Sequence, residues 1–169
     1  MLGRMLSRVL IAVVVLTAVA IAPICLWQRH RAVNQIETVS ARFISAASKL
    51  DLIALRDCLT NEGRASMPAY YTCVAAGKLR DLNRDVRVSV RLDVIDVRIG
   101  AGEAKARIKR EVTERGKRLG RPVNTNIRDE CMVVCVYDGE QWLVDLDRTL
   151  KGEKSPVANI SLFRECRIK

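Results

Sequence analysis

The longest apolar block comes first. From Val9 to Trp27 the chain runs for 19 residues without a charge. At about 1.5 Å per residue such a helix spans roughly 28 Å, close to the hydrocarbon thickness of a bilayer. Arg4 and Arg8 precede it, Arg29 and Arg31 follow it, and Trp27 falls where an interfacial aromatic is expected. The pattern predicts a single-pass anchor. A cleaved signal peptide competes, with Ala18-Val19-Ala20 as its cleavage site, but the apolar run continues seven residues beyond Ala20, which such a peptide does not need. Basic residues balance across the two ends, so only the free amino terminus tips the orientation. It favours a short cytoplasmic tail, with the remaining chain outside the cytoplasm, on the periplasmic side of a bacterium.

Beyond the anchor, Val33, Ile36, Val39/Ser40, Phe43, Ala47 and Leu50 recur at spacings of three and four, the stripe of an amphipathic helix. Asp51 is a natural cap for a second helix carrying Leu52, Leu55 and Leu59, which Asn61-Glu62-Gly63 ends. Ser66 would cap a third, with Pro68 in its first turn, Gly77 near its end, and Tyr70, Tyr71 and Cys73 on it. The period then drops to two: Val86, Val88, Val90, Leu92 and Val94 alternate with polar residues, as in a half-buried strand. Ile95, Val97 and Ile99 fall on the other parity, which predicts a bulge between Asp93 and Asp96. A second alternating strand, Ala104 to Val112, follows Gly100-Ala101-Gly102 and leads into a polar loop. Cys131 to Tyr137 is apolar at both parities and reads as a central strand. Asp138-Gly139 signals a hairpin, and Trp142, Val144 and Leu146 would line one face of the return strand. Residues 148–169 read as a tail of low periodicity, with Phe163 and Cys166 as anchors. Helices grouped before strands argue an α+β domain whose curved antiparallel sheet wraps the helices.

Composition narrows the function classes. With 169 residues, 49% of them hydrophobic, the chain can bury one core unaided, so neither disorder nor a disulfide-dense miniprotein fits. One His, beside the anchor, disfavours histidine-based catalysis and zinc chemistry; no metal or cofactor is expected. Cys131 and Cys135 lie roughly 13 Å apart along a strand, too far for a mutual disulfide, and are expected to be buried packing residues. Cys58 and Cys73, near the ends of adjacent helices, are the candidate bridge in an oxidising compartment.

The order of motifs resembles the nuclear-transport-factor-2-like superfamily. An amphipathic helix ending Phe43-Ile44-Ser45-Ala46-Ala47 leads into Leu50-Asp51-Leu52-Ile53-Ala54-Leu55, and Tyr137-Asp138-Gly139-Glu140-Gln141-Trp142-Leu143-Val144-Asp145 comes late. The resemblance implies a cone-shaped domain with an apolar cavity, in a superfamily of small isomerases, dehydratases, hydrolases and non-enzymatic modules. The layout of anchor plus domain resembles the extracytoplasmic domains of type IV secretion assembly factors. The expected organisation is a tail over 1–8, a transmembrane helix over 9–27, an α+β domain over 28–147 and a C-terminal tail over 148–169.

Tyr70, Tyr71, Asp96 and Arg110 are the candidate polar groups of the cavity. Arg110 stands out, since it occupies an apolar parity between Ile108 and Val112. It either returns to solvent at a bulge or strand end, or pairs with an anion or carboxylate inside the cone. No catalytic residue is assigned. The chain carries 29 Lys+Arg against 19 Asp+Glu, a net charge of +10. Lys105, Arg107 and Lys109 project from one strand face, while Lys117, Arg118 and Arg121 cluster in the predicted loop. Such a surface suits an acidic partner protein or anionic lipid headgroups. Nucleic acid fits poorly, because no aromatic lies between Tyr71 and Tyr137 to stack on bases. These features predict a membrane-anchored interaction module that docks onto a membrane protein complex, or onto copies of itself, through its sheet and basic face. A carrier or sensor of a small apolar ligand is the second reading, and an enzyme using the cavity the third.

Overall fold

A computed structural model of the chain describes residues 2–75, 85–118, 120–151 and 156–166, without the side chains of 2–20, 118 and 165. The chain divides into two units, Met1–Asn34 and Gln35–Lys169. Helix α1 covers Leu2–Lys49 and contains Pro23. In the first unit the Arg31 guanidinium lies 5.6 Å from the centre of the Trp27 ring, and His30 Nε2 is 3.3 Å from Asn34 Nδ2. Among the residues whose side chains are described, no helix is long and apolar enough to cross a membrane. Most of the predicted span, 9–20, lies outside those residues.

The second unit is α+β. After the last turns of α1 come α2 (Leu52–Asp57), α3 (Asn61–Ala65) and α4 (Met67–Ala75). Leu50 breaks α1 with φ at 60°. The Asp51 N–H closes the turn onto the Ala46 carbonyl at 2.9 Å, and the Asp51 carboxylate accepts from Ala54 N to cap α2. The helix expected after Ser66, with Pro68 in its first turn, is α4; Gly77 lies outside the described residues. Asn61-Glu62-Gly63 does not end α2, which stops at Asp57, but opens α3, which Thr60 caps through Gly63 N and for which Ser66 is the C-cap residue.

Four antiparallel strands follow in meander order: β1 (Asp85–Ile99), β2 (Glu103–Arg118), β3 (Arg121–Tyr137) and β4 (Trp142–Val144). The parity switch in β1 is a bulge, with the register shifting between Val94 and Asp96. The polar loop expected after Val112 does not exist. β2 and β3 stay paired out to Arg118 and Arg121, because each polar residue there finds a cross-strand backbone partner. At Gly116, where φ is +145°, any Cβ would collide with the Asp85 carbonyl, so only glycine lets β1 approach. Gly116→Ala should open this end of the sheet: amides of 85–90 and 113–118 should exchange at least ~10-fold faster while those of 131–135 hold. Unchanged exchange in 85–90 would contradict the close approach.

The carboxyl end also departs from expectation. The return strand stops at Val144, and Leu146 opens helix α5 (Leu146–Lys151). A 3-10 turn (Pro156–Asn159) and helix α6 (Ser161–Glu165) follow. The described residues of this segment, 148–151 and 156–166, are therefore no loose tail: Thr149, Val157, Ile160 and Leu162 are buried, as are Phe163 and Cys166, the expected anchors. β4 covers so little of β3 that other groups take over its edge. Thr149 Oγ1 accepts from Val134 N at 3.1 Å, and Asp145 N donates to the Val134 carbonyl at 2.9 Å. That accounts for a fully buried threonine.

The core lies between α1, the short helices and the inner face of the sheet. Phe43 stacks on Phe163 at 5.9 Å, and Tyr70 meets Phe163 edge-on at 5.7 Å. Cys73 bonds Cys166, with Cα atoms 5.8 Å apart, so the candidate Cys58–Cys73 bridge is corrected. Cys58 is a buried free thiol whose Sγ reaches the Ala54 carbonyl.

Candidate functional site

The inner face of β2 presents Ala104, Ala106, Ile108, Arg110 and Val112, all buried. Its register sets Ile108 against Cys131 and Arg110 against Asp129. Helix α1 lies along this face: Ser40 Oγ is 3.3 Å from Cys135 Sγ, and Arg110 Nη1 donates to Ser48 Oγ at 3.5 Å. Since α1 ends at Lys49, its cover stops at the Arg110 row. Beyond that row Val86, Val88, Val90 and Val123 are only half-buried, and Ile127 is 43% exposed.

Arg110 is thus the polar residue at the edge of the core. Its guanidinium grips Asp129 with two bonds, Nε to Oδ1 at 2.8 Å and Nη2 to Oδ2. Of the two readings the sequence allowed, carboxylate pairing holds, and Arg110 does not return to solvent. Burial pushes the Arg110 pKa down, but the bonds to Asp129, aided by Cys131 and the Asp129 charge, outweigh it and the net shift is upward. Asp129 was missed because its partner becomes visible only once the turn between Arg118 and Arg121 is placed. An open groove of about 510 Å³ crosses the strands at this row; Leu92 lines it together with charged residues of all three strands, Arg110, Asp129, Arg91, Glu111 and Arg128 among them.

The other sequence candidates do not join Arg110. The register sets Asp96 opposite Arg107, on the outer face, where its carboxylate accepts from Arg98 Nε at 2.9 Å. Tyr70 is buried against Phe163, and burial, then the Asp147 charge, raises its pKa. Tyr71 is partly exposed and its hydroxyl donates to the Leu52 carbonyl at 3.5 Å. Burial pushes the thiols of Cys58 and Cys135 up to about 11 and that of Cys131 up to about 12, so none is a thiolate nucleophile at neutral pH. Among the described residues no group of His, Cys, Asp and Glu could hold a metal ion.

Outward-facing positions tell a different story. Lys105, Arg107 and Lys109 are exposed on β2, as expected. They are interleaved with acid: Lys105 lies 3.6 Å from Glu103, Arg107 faces Asp96, and Lys109 stands between Asp93 and Glu130 in the register. The next row alternates as well, with Glu111 accepting from Arg128 at 2.8 Å and from Asn126 at 3.0 Å. These bonds, Asn126's first, lower the Glu111 pKa. Towards the hairpin end the alternation stops. Arg87 faces Arg115 and Lys117 is exposed, whereas the register sets Arg118 against Arg121 on the other parity, the one that carries Arg110 and Asp129, so the expected cluster of Lys117, Arg118 and Arg121 is split between the two faces. A second groove, of about 460 Å³, lies between α3 and α5, with its cations Arg148 and Lys151 bonded to Glu103 and Asp147.

No known family model matches the sequence, and no curated protein matches it. Solved structures do. A protein of unknown function from Mycobacterium tuberculosis superposes with a TM-score of 0.52 at 14% identity, covering 84% of this chain and 92% of that one. A ketosteroid isomerase-like protein from Erwinia carotovora atroseptica gives 0.49 at 16% identity, over 66% of this chain and 88% of its own. A putative dehydratase of the NTF2-like family from Streptomyces avermitilis gives 0.49 at 11%, over 68% and 92%. Only the first exceeds one half, and it shows a shared fold and no activity.

Proposed function

We propose that this chain is a membrane-tethered interaction module with a nuclear-transport-factor-2-like domain, docking onto a membrane protein complex through the outward face of its sheet. The observation that carries the reading is the contrast between the two faces. The inner polar residue, Arg110, already has Nε, Nη1 and Nη2 each bonded to Asp129 or Ser48, whereas the outer face offers exposed Lys105, Arg107, Lys109 and Lys117 to a partner. The tether is supported by the uncharged run Val9–Trp27 and by Ile21, Ile24, Leu26 and Trp27, each more than half exposed, an arrangement that asks for an apolar surround. A disulfide between Cys73 and Cys166 suits an oxidising compartment, hence a domain outside the cytoplasm. Tethering confines the module to two dimensions and raises its effective concentration at its partner. The layout also fits kinship with type IV secretion assembly factors.

The groove over Leu92, Arg110 and Asp129 supports a second reading, a carrier or sensor of a small apolar ligand. One comparison separates the two. Lys117→Glu with Arg118→Glu should abolish co-purification of stoichiometric membrane proteins from mild detergent, and Arg110→Met should leave it intact. The reverse result would move the function to the groove. Alkaline carbonate should leave the chain in the membrane pellet; its release would refute the tether.

A further inference from the structure

We infer that the end of the β2–β3 hairpin, with the facing start of β1, binds the phosphate groups of anionic phospholipid headgroups. The inference rests on the membrane tether proposed above and goes beyond docking to a protein. Its basis is a break in the charge pattern of one continuous sheet face. Across the middle of the sheet the signs alternate: Arg91, Glu111 and Arg128 form one row, and Asp93, Lys109 and Glu130 the next. Opposite charges facing each other across strands stabilise a sheet, and like charges destabilise it. At the hairpin end the chain does the unfavourable thing. Arg87 stands directly opposite Arg115, with uncharged Asn124 beyond it, and exposed Lys117 follows two residues on along the same face.

Glu114 belongs to the opposite parity of β2, where it accepts from Thr125 Oγ1 at 3.2 Å. On the face of Arg87 and Arg115 the neighbouring acid is Asp85, which faces Lys117 in the register. Among the described residues no ion pair engages Arg87, Arg115, Lys117 or Arg121. An external anion between facing guanidinium groups turns the repulsion into attraction, and a phosphate oxygen pair matches the guanidinium fork. For a chain held at a bilayer, headgroups are the densest phosphate source within reach, and each exposed cation near an anionic surface adds a similar increment of binding. The paired strands fix the backbone positions of the cations, so no loop has to order for the contact to form.

The test uses the full chain in nanodiscs of phosphatidylcholine, mixed with vesicles of phosphatidylcholine alone or with phosphatidylglycerol added, and read by co-sedimentation. The wild type should pellet only with the phosphatidylglycerol vesicles, and less as salt rises. Arg87→Gln, Arg115→Gln and Lys117→Gln together should weaken binding on the order of 100-fold. Lys105→Gln, Arg107→Gln and Lys109→Gln remove the same charge from the middle of the face and should weaken it less than about 5-fold. Arg115→Gln alone, the mildest change, should weaken it about 5-fold, and circular dichroism should match wild type throughout. Equal weakening by the two triple variants would mean bulk net charge and overturn the site. Full competition by poly-glutamate at matched charge would assign the surface to an acidic protein instead. Absence of binding to phosphatidylglycerol would overturn it outright. Carbonate extraction reads the tether separately, so loss of one claim is distinguishable from loss of the other.

Discussion

Asp129→Ala should destabilise the second unit by about 3–5 kcal/mol, more than any change to Arg110 itself. The asymmetry follows from depth. The Arg110 side chain is 5% exposed and that of Asp129 20%. Removing the carboxylate strands a guanidinium at the rim of the core with only Ser48 as partner. Removing the guanidinium leaves a carboxylate that water can reach, so Arg110→Met should cost only about 1–3 kcal/mol. Replacing both, Arg110→Met with Asp129→Leu, should recover most of the loss, because well-packed apolar residues substitute for a buried pair at little cost. Urea unfolding of the full chain in detergent, followed by circular dichroism, measures all three. If Arg110→Met proved as damaging as Asp129→Ala and the double variant worse than either, Arg110 would be held by more than this pair.

Breaking the Cys73–Cys166 bond should be comparably severe. It joins residues 93 apart, tying α4 to α6, the last helix, and in the chain-entropy view a loop that long stabilises by roughly 4–5 kcal/mol. The helices it fixes are short: α6 has five residues and α4 nine, below the length at which helices hold alone. Cys73→Ser with Cys166→Ser should therefore lower stability by about 2–5 kcal/mol. Amide exchange in 157–166 should rise before exchange in β2 and β3. Reductant should move the wild type to the same midpoint and leave the double variant unmoved. A wild type indifferent to reductant would mean that Phe163, Leu162 and Val157 anchor the carboxyl end without help.

What the sequence disclosed was local. The bulge in β1 was legible because a period of two changes parity when one residue is inserted, and Val94 to Ile95 records that insertion. The Asp51 cap and the buried Cys131 and Cys135 were legible for the same kind of reason. Non-local pairings were not. Gly116 and the basic cluster around it read as a loop, yet a glycine at φ +145° also lets a third strand approach closely. With the hairpin turn hidden, neither Asp129 as the partner of Arg110 nor the Arg87–Arg115 facing pair could be placed. The carboxyl end lacked periodicity because its buried residues sit on a 3-10 turn and a five-residue helix, too short to repeat. Cys58 lies nearer Cys73 in sequence than Cys166 does, but folding brought Cys166 to it.

The central claim is that the outward sheet face, and not the inner groove, meets the partner. Photo-crosslinking in native membranes tests it most directly, with a benzophenone side chain placed singly at Arg107, at Lys117 and at Ile53, the last 70% exposed on α2. Discrete cross-links to a membrane protein should form from 107 and 117, those from 107 should vanish when Lys117 and Arg118 are reversed in charge, and none should form from 53. Cross-links from 53 alone, or none from either sheet position while a small molecule stays bound beside Arg110, would contradict the account.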